Sequence, residues 1–358
     1  MADLCANMFT EGESKNGDAG FKVLTDRIRR GVEALKNFGY DDEDPLIVAA
    51  NNLISDDDNI ANQIKAALTK KVYEGMKDPE AFFPAIDINE ETGKEIKQSY
   101  DMSVFVKNPN MYAMLPSKGF SEENTPGWTV VKGNPGFWGT GGASWGNPRN
   151  IEGLPEDIAV TVYHSEAQVE QTITDLPVGI YTVTLYGTDW GNMKGDYNDE
   201  TGEWSGKDAL GFVYVKTSDT VEPAEGETAD RELNFAATAT IEAAKHHGLS
   251  EYSMDLAHNL EDITVTDGKL TLGFYYGNDS QYFFGDVKLA LVGAVSGFDY
   301  GKAVETIETN INEPATAKVR ALQLFDLNGR RIVTAQKGIQ IVKKMMSDGT
   351  VKTQKVIK

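Results

Sequence analysis

The sequence predicts a mainly β protein: a jelly-roll β-sandwich preceded by a small α-helical segment and followed by a small C-terminal β unit. Apolar residues recur every second position between about residues 102 and 293, as they do in half-buried strands. The first hundred residues instead follow the three-four spacing of helices. The end of the chain carries two hairpin signals, Asn328-Gly329 and Asp348-Gly349. We therefore expect a helical segment at 1–100, a sandwich at 101–295, a linker at 296–317 and a β tail at 318–358.

The helical segment predicts three short helices. The first has an apolar face that ends near Gly39 and is formed by Phe21, Leu24, Ile28, Val32 and Leu35. Asp44-Pro45 is typical of an N-cap followed by proline in the first turn, so a second helix is expected to run from there through Leu53. Acidic residues 56–58 favour the start of a third helix. Its buried face would contain Ile60, Ile64, Leu68, Val72 and Met76.

The middle of the chain alternates most clearly in four segments, namely 158–163, 180–185, 270–274 and 287–291. Turn residues separate such segments: Pro177-Val178-Gly179 joins two strands, and Asp267-Gly268 predicts a tight hairpin. Many short strands with turns between them are typical of a sandwich or jelly roll.

Composition excludes several classes of partner. The net charge of −21 argues against nucleic acid and anionic membranes, because both require a basic surface. Cys5 is the only cysteine, so neither an internal disulfide nor a Cys/His metal cluster is expected. No stretch of about 18 apolar residues is present, so no membrane span is expected. The start of the chain does not look like a signal peptide, which suits a cytosolic protein or an exported one without its native leader.

The tail contains three blocks of a known pattern. A hydrophobic-Asp-x-x-Gly-Arg block lies at 324–330, Lys-Gly-hydrophobic at 337–339, and Lys-Val-hydrophobic-Lys at 355–358. This resembles the C-terminal sorting domain used by type IX secretion in Gram-negative bacteria, although Gln340 stands where an aromatic residue is usual. The resemblance implies an exported protein, secreted or at the cell surface, whose tail is recognised by secretion machinery or serves as an anchor.

The middle of the chain resembles a galactose-binding-like jelly roll, the fold of many carbohydrate-binding modules. The matching pieces are FVKNPNM (105–111), PGW (126–128), residues 169–187, ITVTDGKLTLGF (263–274) and FFGDVKLALVG (283–293). The resemblance implies binding of a glycan or polysaccharide. It also implies a structural calcium ion between the first and last strands, with Asp286 as the candidate metal ligand. The first block has no acidic residue to pair with Asp286, and Tyr112 follows Asn110-Met111 there.

Candidate ligand-binding residues come from the tryptophans, all of which lie between Trp128 and Trp204. Indole rings in polar loops provide apolar faces on which sugar rings stack, and nearby amides and carboxylates bind hydroxyls. Counting strands places loop 133–156 at one end of the sandwich. Loops 188–208, 109–127, 238–261 and 277–284 would then meet at the other end. The expected ligand-binding residues are Trp190, Trp204, Tyr112, Tyr282, Asn278, Asp279, Trp138 and Trp145. Alternatively, Trp128 and some of the other rings fill the core.

The sequence contains no HExxH, G-x-S-x-G or P-loop motif, so no catalytic residue is predicted and the protein is not expected to be an enzyme. Three hypotheses remain. The first is non-catalytic polysaccharide binding by the jelly roll, and the second is a structural or adhesive cell-surface protein that binds protein partners. The third is the C-terminal accessory part of a larger glycoside hydrolase.

Overall fold

The computed structural model describes most of the chain outside the loops and the N-terminus. The described residues are 25–53, 56–111, 120–138, 159–163, 165–189, 197–198, 203–204, 211–218, 220, 235–241, 257–277, 281–312, 319–325, 331–332, 339–346 and 351–357. They form two compact units, Met1–Gly301 and Lys302–Lys358.

The helices are α1 (Asp26–Asn37), α2 (Pro45–Asn51), α3 (Asp58–Gly75), α4 (Pro79–Phe82) and α5 (Tyr300–Asn312). The predicted caps are present: the Asp44 carboxylate accepts from the Leu46 amide at 2.8 Å, and Asp57 caps α3 in the same way. The apolar face predicted for α3 is buried from Ile64 to Met76. The three predicted helices are therefore confirmed over these ranges, while Phe21 and Leu24 of the first predicted apolar face lie outside the described residues.

Nineteen strands are described. They are β1 (Ala85–Ile88), β2 (Glu95–Lys97), β3 (Tyr100–Asp101), β4 (Thr129–Lys132), β5 (Gly136–Trp138), β6 (Ala159–Tyr163), β7 (Ala167–Ile173), β8 (Gly179–Asp189), β9 (Tyr197–Asn198), β10 (Glu203–Trp204), β11 (Phe212–Thr217), β12 (Ala237–Thr240), β13 (Ala257–Val265), β14 (Leu270–Tyr276), β15 (Gln281–Gly293), β16 (Val319–Phe325), β17 (Arg331–Ile332), β18 (Ile339–Met346) and β19 (Val351–Ile357).

The sandwich consists of two antiparallel sheets. One has five strands in the order β12-β11-β14-β7-β4, and the other has six in the order β13-β8-β15-β6-β5, with β3 paired to β15. Apolar residues alternate along β7, β8, β14 and β15 and are buried between the sheets. The ring of Tyr276 in one sheet contacts that of Tyr282 in the other, with centroids 5.2 Å apart. The predicted mainly β sandwich is confirmed.

Several short turns carry the chain from one sheet to the other. Residues 174–178 join β7 to β8, and residues 266–269 join β13 to β14; in each case the two strands belong to different sheets. The Leu176 amide donates to the Gly268 carbonyl at 3.1 Å, so these two turns contact each other. The prediction of a hairpin at Asp267-Gly268 is therefore wrong: Gly268 has the positive φ of a tight turn, but its flanking strands do not pair.

Trp128 fills part of the sandwich core. Its ring is fully buried, lies 5.9 Å from that of Phe274, and donates from Nε1 to the Asn108 carbonyl at 2.9 Å. The hypothesis that this tryptophan is structural is confirmed.

The helices at the start of the chain belong to the same compact unit as the sandwich. Helix α3 packs beside the turn at 174–178, where the Tyr73 hydroxyl accepts from the Val178 amide at 2.9 Å and Lys65 pairs with Asp175 at 3.1 Å. Residues 1–100 also contain the β1–β2 hairpin, which the sequence did not indicate. The predicted linker at 296–317 contains helix α5 over most of its length.

The second unit, Lys302–Lys358, contains most of α5 and a four-stranded antiparallel sheet in the order β17-β16-β18-β19. Phe325 pairs with Arg331 and Met345 pairs with Val351, as expected for strands joined at the two predicted hairpin signals. No helix in the described part of the chain is long and apolar enough to span a membrane.

Candidate functional site

The outer face of the five-stranded sheet carries a cluster of aromatic and polar side chains. Because paired residues in an antiparallel sheet point to the same side, strand register arranges them in rows. One row is Phe212, Tyr275, Gln168 and Lys132, and the next is Tyr214, Gly273, Glu170 and Thr129. Lys216 begins a third row with Thr271 and Thr172. We call this surface the outer face.

Four aromatic rings form the apolar part of the outer face. Phe212 lies 4.9 Å from Tyr275 and 5.8 Å from Tyr214 between ring centroids. Phe235, which precedes β12, contacts Tyr214 at 4.4 Å and Phe212 at 5.6 Å. Within this cluster Tyr214 and Phe212 are buried, whereas Tyr275 and Phe235 are partly exposed. The rings together form a contiguous platform with two partly exposed members.

Tyr214 lies across a glycine on the neighbouring strand. A Cβ atom at Gly273 would stand 2.1 Å from Cζ of Tyr214 and 2.4 Å from its Oη. Glycine at this position therefore leaves room for the tyrosine ring. The ring packs where a side chain of residue 273 would otherwise project.

Glu170 organises the polar part of the outer face. It accepts a hydrogen bond from the Tyr214 hydroxyl at 2.7 Å and pairs with Lys216 at 2.9 Å. The Gln168 amide donates to the same tyrosine oxygen at 2.6 Å. Lys216 also lies 5.7 Å from the Tyr214 ring centroid and 5.8 Å from that of Phe235. These contacts fix the directions of an amide, a carboxylate and an ammonium group beside the platform.

A second carboxylate lies near the partly exposed tyrosine. Glu166 accepts from the Tyr275 hydroxyl at 2.7 Å and from Lys132 at 2.6 Å. The hydrogen bond from Lys132, together with that from Tyr275, holds the pKa of Glu166 below its ordinary value. This carboxylate is thus ionised at neutral pH and acts only as a hydrogen-bond acceptor.

This combination suits a neutral, hydroxyl-rich ligand. Partly exposed rings provide apolar area, and the flanking carboxylates, amide and ammonium provide fixed acceptors and donors. Each carboxylate is already paired with a lysine, so the outer face does not require a charged ligand for compensation. The side chains of the outer face are therefore suited to reversible binding of a ligand through stacking and hydrogen bonds.

Most of the ligand-binding residues predicted from the sequence lie outside the described residues. This applies to Tyr112, Trp145, Trp190, Asn278 and Asp279. Their role in binding stays a prediction.

Two other predicted tryptophans are described only by their backbones. Trp138 ends β5, and Trp204 lies in β10, which pairs with β9. Tyr282 is in β15 and fully buried in the core, so the predicted loop at 277–284 is shorter than expected and this ring has no surface for a ligand.

Strand ends show which loops share an end of the sandwich. Asp189 at the end of β8 pairs with Tyr282 near the start of β15, and Ala257 at the start of β13 pairs with Tyr186. The loops attached there, at 190–210, 242–256 and 278–280, therefore leave from one end, as predicted. The row that contains Phe212 and Tyr275 lies at this same end.

The remaining loops leave elsewhere. Trp138 pairs with Ala159, the residue of β6 furthest from that end, so segment 139–158 belongs to the opposite end, as predicted. Segment 109–127 leads into β4 at Thr129, which pairs with Glu170, whereas the end of β4 pairs with Gln168. Strand β4 therefore runs towards those loops, so the described residues that lead into it do not start from the predicted end, while residues 112–119, with Tyr112, lie outside the described residues.

Asp286 does not fit the calcium site that the sequence resemblance implied. Its carboxylate accepts a hydrogen bond from Arg30 at 2.6 Å, and the Asn110 amide oxygen and Val287 carbonyl are bonded to the same guanidinium. Calcium requires about six to eight oxygen ligands at 2.3–2.6 Å, and a guanidinium already occupies the position between these oxygens. The described part of the chain contains no cluster of three or more His, Cys, Asp or Glu side chains arranged to hold a metal.

The aromatic residues of the outer face were not singled out from the sequence. Phe212 and Tyr214 alternate with the core valines Val213 and Val215, so a signal existed: two aromatic residues on the face of β11 that points away from the sandwich core. Their meeting with Tyr275 and Glu170 depends on strand order, which the sequence pattern does not provide.

No protein-family model and no curated protein matches the chain. Solved structures that resemble it include a family 61 carbohydrate-binding module in complex with β-1,4-galactotriose, at 14% identity over 48% of this chain and 84% of that chain, with a TM-score of 0.23. A CBM4 module matches at 12% identity over 52% of this chain and 99% of its own, with a TM-score of 0.26. The K1 cleaved adhesin domain of Lys-gingipain from Porphyromonas gingivalis matches at 13% identity over 49% and 94%, with a TM-score of 0.28. At such low TM-scores these similarities do not identify a ligand for this chain.

Proposed function

We propose that the sandwich is a non-catalytic module that binds a polysaccharide through its outer face. The observation that supports this most directly is the fixed geometry of the aromatic platform with Gln168, Glu170 and Glu166 beside it. A sugar ring would stack on Tyr275 or Phe235 while its hydroxyls bond to the neighbouring amide and carboxylates. Two stacking contacts and a few hydrogen bonds are worth about 4–6 kcal/mol in total, a dissociation constant of roughly 0.1–1 mM.

The tryptophan loops extend this proposal. Trp190 and Trp204 belong to the connection between β8 and β11, which enters the outer face at Phe212. A polysaccharide that crosses the platform towards the end of β14 would approach the chain segments that carry these tryptophans and, in the connection from β14 to β15, Asn278 and Asp279. The proposed site therefore runs from the outer face to this end of the sandwich.

Binding to a panel of neutral polysaccharides, measured by affinity electrophoresis and calorimetry, tests the proposal. Tyr275→Ala is expected to weaken binding at least tenfold, because it removes a stacking face and the partner of Glu166. Tyr163→Ala is the matched control: this tyrosine is 53% exposed, but it lies on the six-stranded sheet. Equal affinities for the two variants would remove the outer face as the site.

A second set of variants separates the loops from the outer face. If Trp190→Ala and Trp204→Ala abolish binding while Tyr275→Ala does not, the site lies at the loop end alone. If the unmodified protein binds none of the polysaccharides, the glycan-binding proposal is wrong.

A structural or adhesive role is the second candidate, and one observation favours it. The β1–β2 hairpin exposes three isoleucines: Ile86 at 59%, Ile88 at 60% and Ile96 at 42%. Exposed apolar side chains on a two-stranded hairpin are typical of protein contacts. Sedimentation of the protein with Ile86 and Ile88 replaced by serine, compared with the unmodified chain, tests this role through any loss of self-association.

We also propose that the protein is exported and that the unit Lys302–Lys358 serves as its sorting or anchoring tail. The support is the match to the three sequence blocks and the presence of a separate four-stranded sheet. Fusion of residues 302–358 to a secreted reporter in a bacterium with type IX secretion tests this. The reporter should reach the cell surface, and Gly329→Ala with Arg330→Ala should abolish delivery. Periplasmic retention of the unaltered fusion would contradict the proposal.

A further inference from the structure

The guanidinium of Arg30 lies among four oxygen atoms from three separate parts of the chain. Nη1 donates to the Val287 carbonyl at 2.8 Å, and Nη2 donates to Asp286 Oδ1 at 2.6 Å and to Asn110 Oδ1 at 3.2 Å. Nε donates to the carboxylate of Asp26 on the same helix. All three nitrogens therefore bond to oxygen, and the group joins helix α1 to the segment before β4 and to the middle of β15.

This contact is largely removed from solvent. The side chain of Arg30 is 15% exposed, that of Asp286 16%, and that of Asp26 5%. Burial lowers the pKa of Arg30, but the charges of Asp286 and Asp26 and the hydrogen bond to Asp286 raise it above its ordinary value. The charged form is thus stabilised in place by two carboxylates, one of which, Asp26, also pairs with Arg29.

The backbone of β15 is shaped around this contact. Asp286 has a φ of +67°, in the left-handed region that a non-glycine residue seldom adopts, and it follows Gly285 at an irregularity in the pairing of β15 with β8. Such a conformation costs about 1–3 kcal/mol and persists where the surroundings enforce it. Here it turns the carboxylate towards Arg30.

We propose that Arg30 is the resident structural cation of this oxygen-lined site, and that it joins helix α1 to β15 in the manner of a bound metal ion. The protein then needs no calcium at Asp286. Because the cation is carried by α1, the sandwich depends on the N-terminal helix for the order of its last long strand. This inference does not depend on the ligand of the outer face.

Thermal unfolding of the full chain tests the proposal, with Arg29→Gln as the matched control. Arg29 lies on the same helix, contacts the same Asp26 and is 57% exposed, but it has no contact with β15 among the described residues. Arg30→Gln is expected to lower the midpoint by about 5–10 °C, since it leaves a buried carboxylate without its partner. Arg29→Gln is expected to lower it by less than about 2 °C. Equal shifts for the two variants would overturn the proposal.

Chelation and a double-mutant cycle provide two further tests. The midpoint of the unmodified protein should be the same in EDTA and in excess calcium; a fall in EDTA that calcium reverses would show that a metal ion is the cation.

Asp286→Asn should restore part of the stability lost in Arg30→Gln, because it removes the uncompensated charge. Simple additivity of the two losses would overturn the pairing. If Arg30→Gln does not fold, Arg30→Lys in the same cycle keeps the charge and permits the comparison.

Discussion

Replacement of Gly273 by alanine is expected to destabilise the protein because of a single neighbour, Tyr214. The new Cβ would lie 2.1 Å from Cζ of the ring, whereas ordinary contacts begin at 3.4 Å, so the ring must move by more than 1 Å. Such a shift breaks the hydrogen bonds of the hydroxyl to Glu170 at 2.7 Å and Gln168 at 2.6 Å. The loss of one bond to a charged group and one to a neutral group costs about 2–4 kcal/mol. An alanine in a strand recovers about 0.5–1 kcal/mol of this, since glycine is unfavourable there.

The reasoning predicts a change of sign when the tyrosine is absent. In a Tyr214→Ala background the clash cannot occur, and Gly273→Ala should then stabilise the protein by about 0.5–1 kcal/mol. Urea unfolding of the four proteins of this cycle gives the free energies of unfolding and their coupling. If Gly273→Ala destabilises both backgrounds equally, the ring does not lie across the glycine and the platform is built differently.

Three other changes test the helical segment and the edge of the outer face. Tyr73→Phe should cost about 1–3 kcal/mol in urea unfolding, because the buried Val178 amide loses its acceptor; no loss would show that the bond is absent. Gly31→Ala should destabilise by about 1–3 kcal/mol despite a better helix propensity, since its Cβ would approach two buried side chains to 2.7 and 2.8 Å. Lys132→Gln should be less stable than the unmodified protein at neutral pH. Lys132 helps to lower the pKa of Glu166, so this stabilisation exists above the ordinary glutamate pKa and is lost as the pH falls below about 4. A difference between the two proteins that stays constant from pH 7 to acid would contradict that assignment.

Local sequence signals predicted the elements that local energetics determine. Helix α3 begins where Asp57 caps its first amides, and its buried face follows the predicted spacing. The strands at 180–185 and 270–274 were predicted because their buried residues alternate, and β8 and β14 have this alternation. In these segments the apolar residues that form the sequence pattern are the same residues that are buried in the core.

Pairing between distant segments could not be predicted in the same way. Asp267-Gly268 has the residue types of a hairpin turn, but whether two strands pair or enter different sheets depends on the whole arrangement of strands. Helix α5 was missed because Glu313-Pro314 suggested a linker, although the apolar residues Tyr300, Val304 and Ile307 before it have helical spacing.

The candidate site also combines features that local sequence signals predict with features that depend on pairing between distant segments. The tryptophans predict a binding site because they are rare and stand in polar segments of the sequence, whereas Phe212 and Tyr275 lie in ordinary strands. The two residues are 63 positions apart in the chain and become neighbours only through the pairing of β11 with β14. Asp286 was singled out for its acidic character, but its partner comes from a helix 256 residues earlier.

The separation between Arg30 and β15 has a consequence for biosynthesis. At about 5–20 residues per second, the ribosome needs roughly 13–50 s to extend the chain by the 257 residues between Arg30 and Val287. Throughout this interval α1 exists without the carboxylate and the carbonyl that complete its docking. The docking of α1 onto the sandwich therefore cannot be completed until β15, the last strand of the sandwich, has emerged from the ribosome.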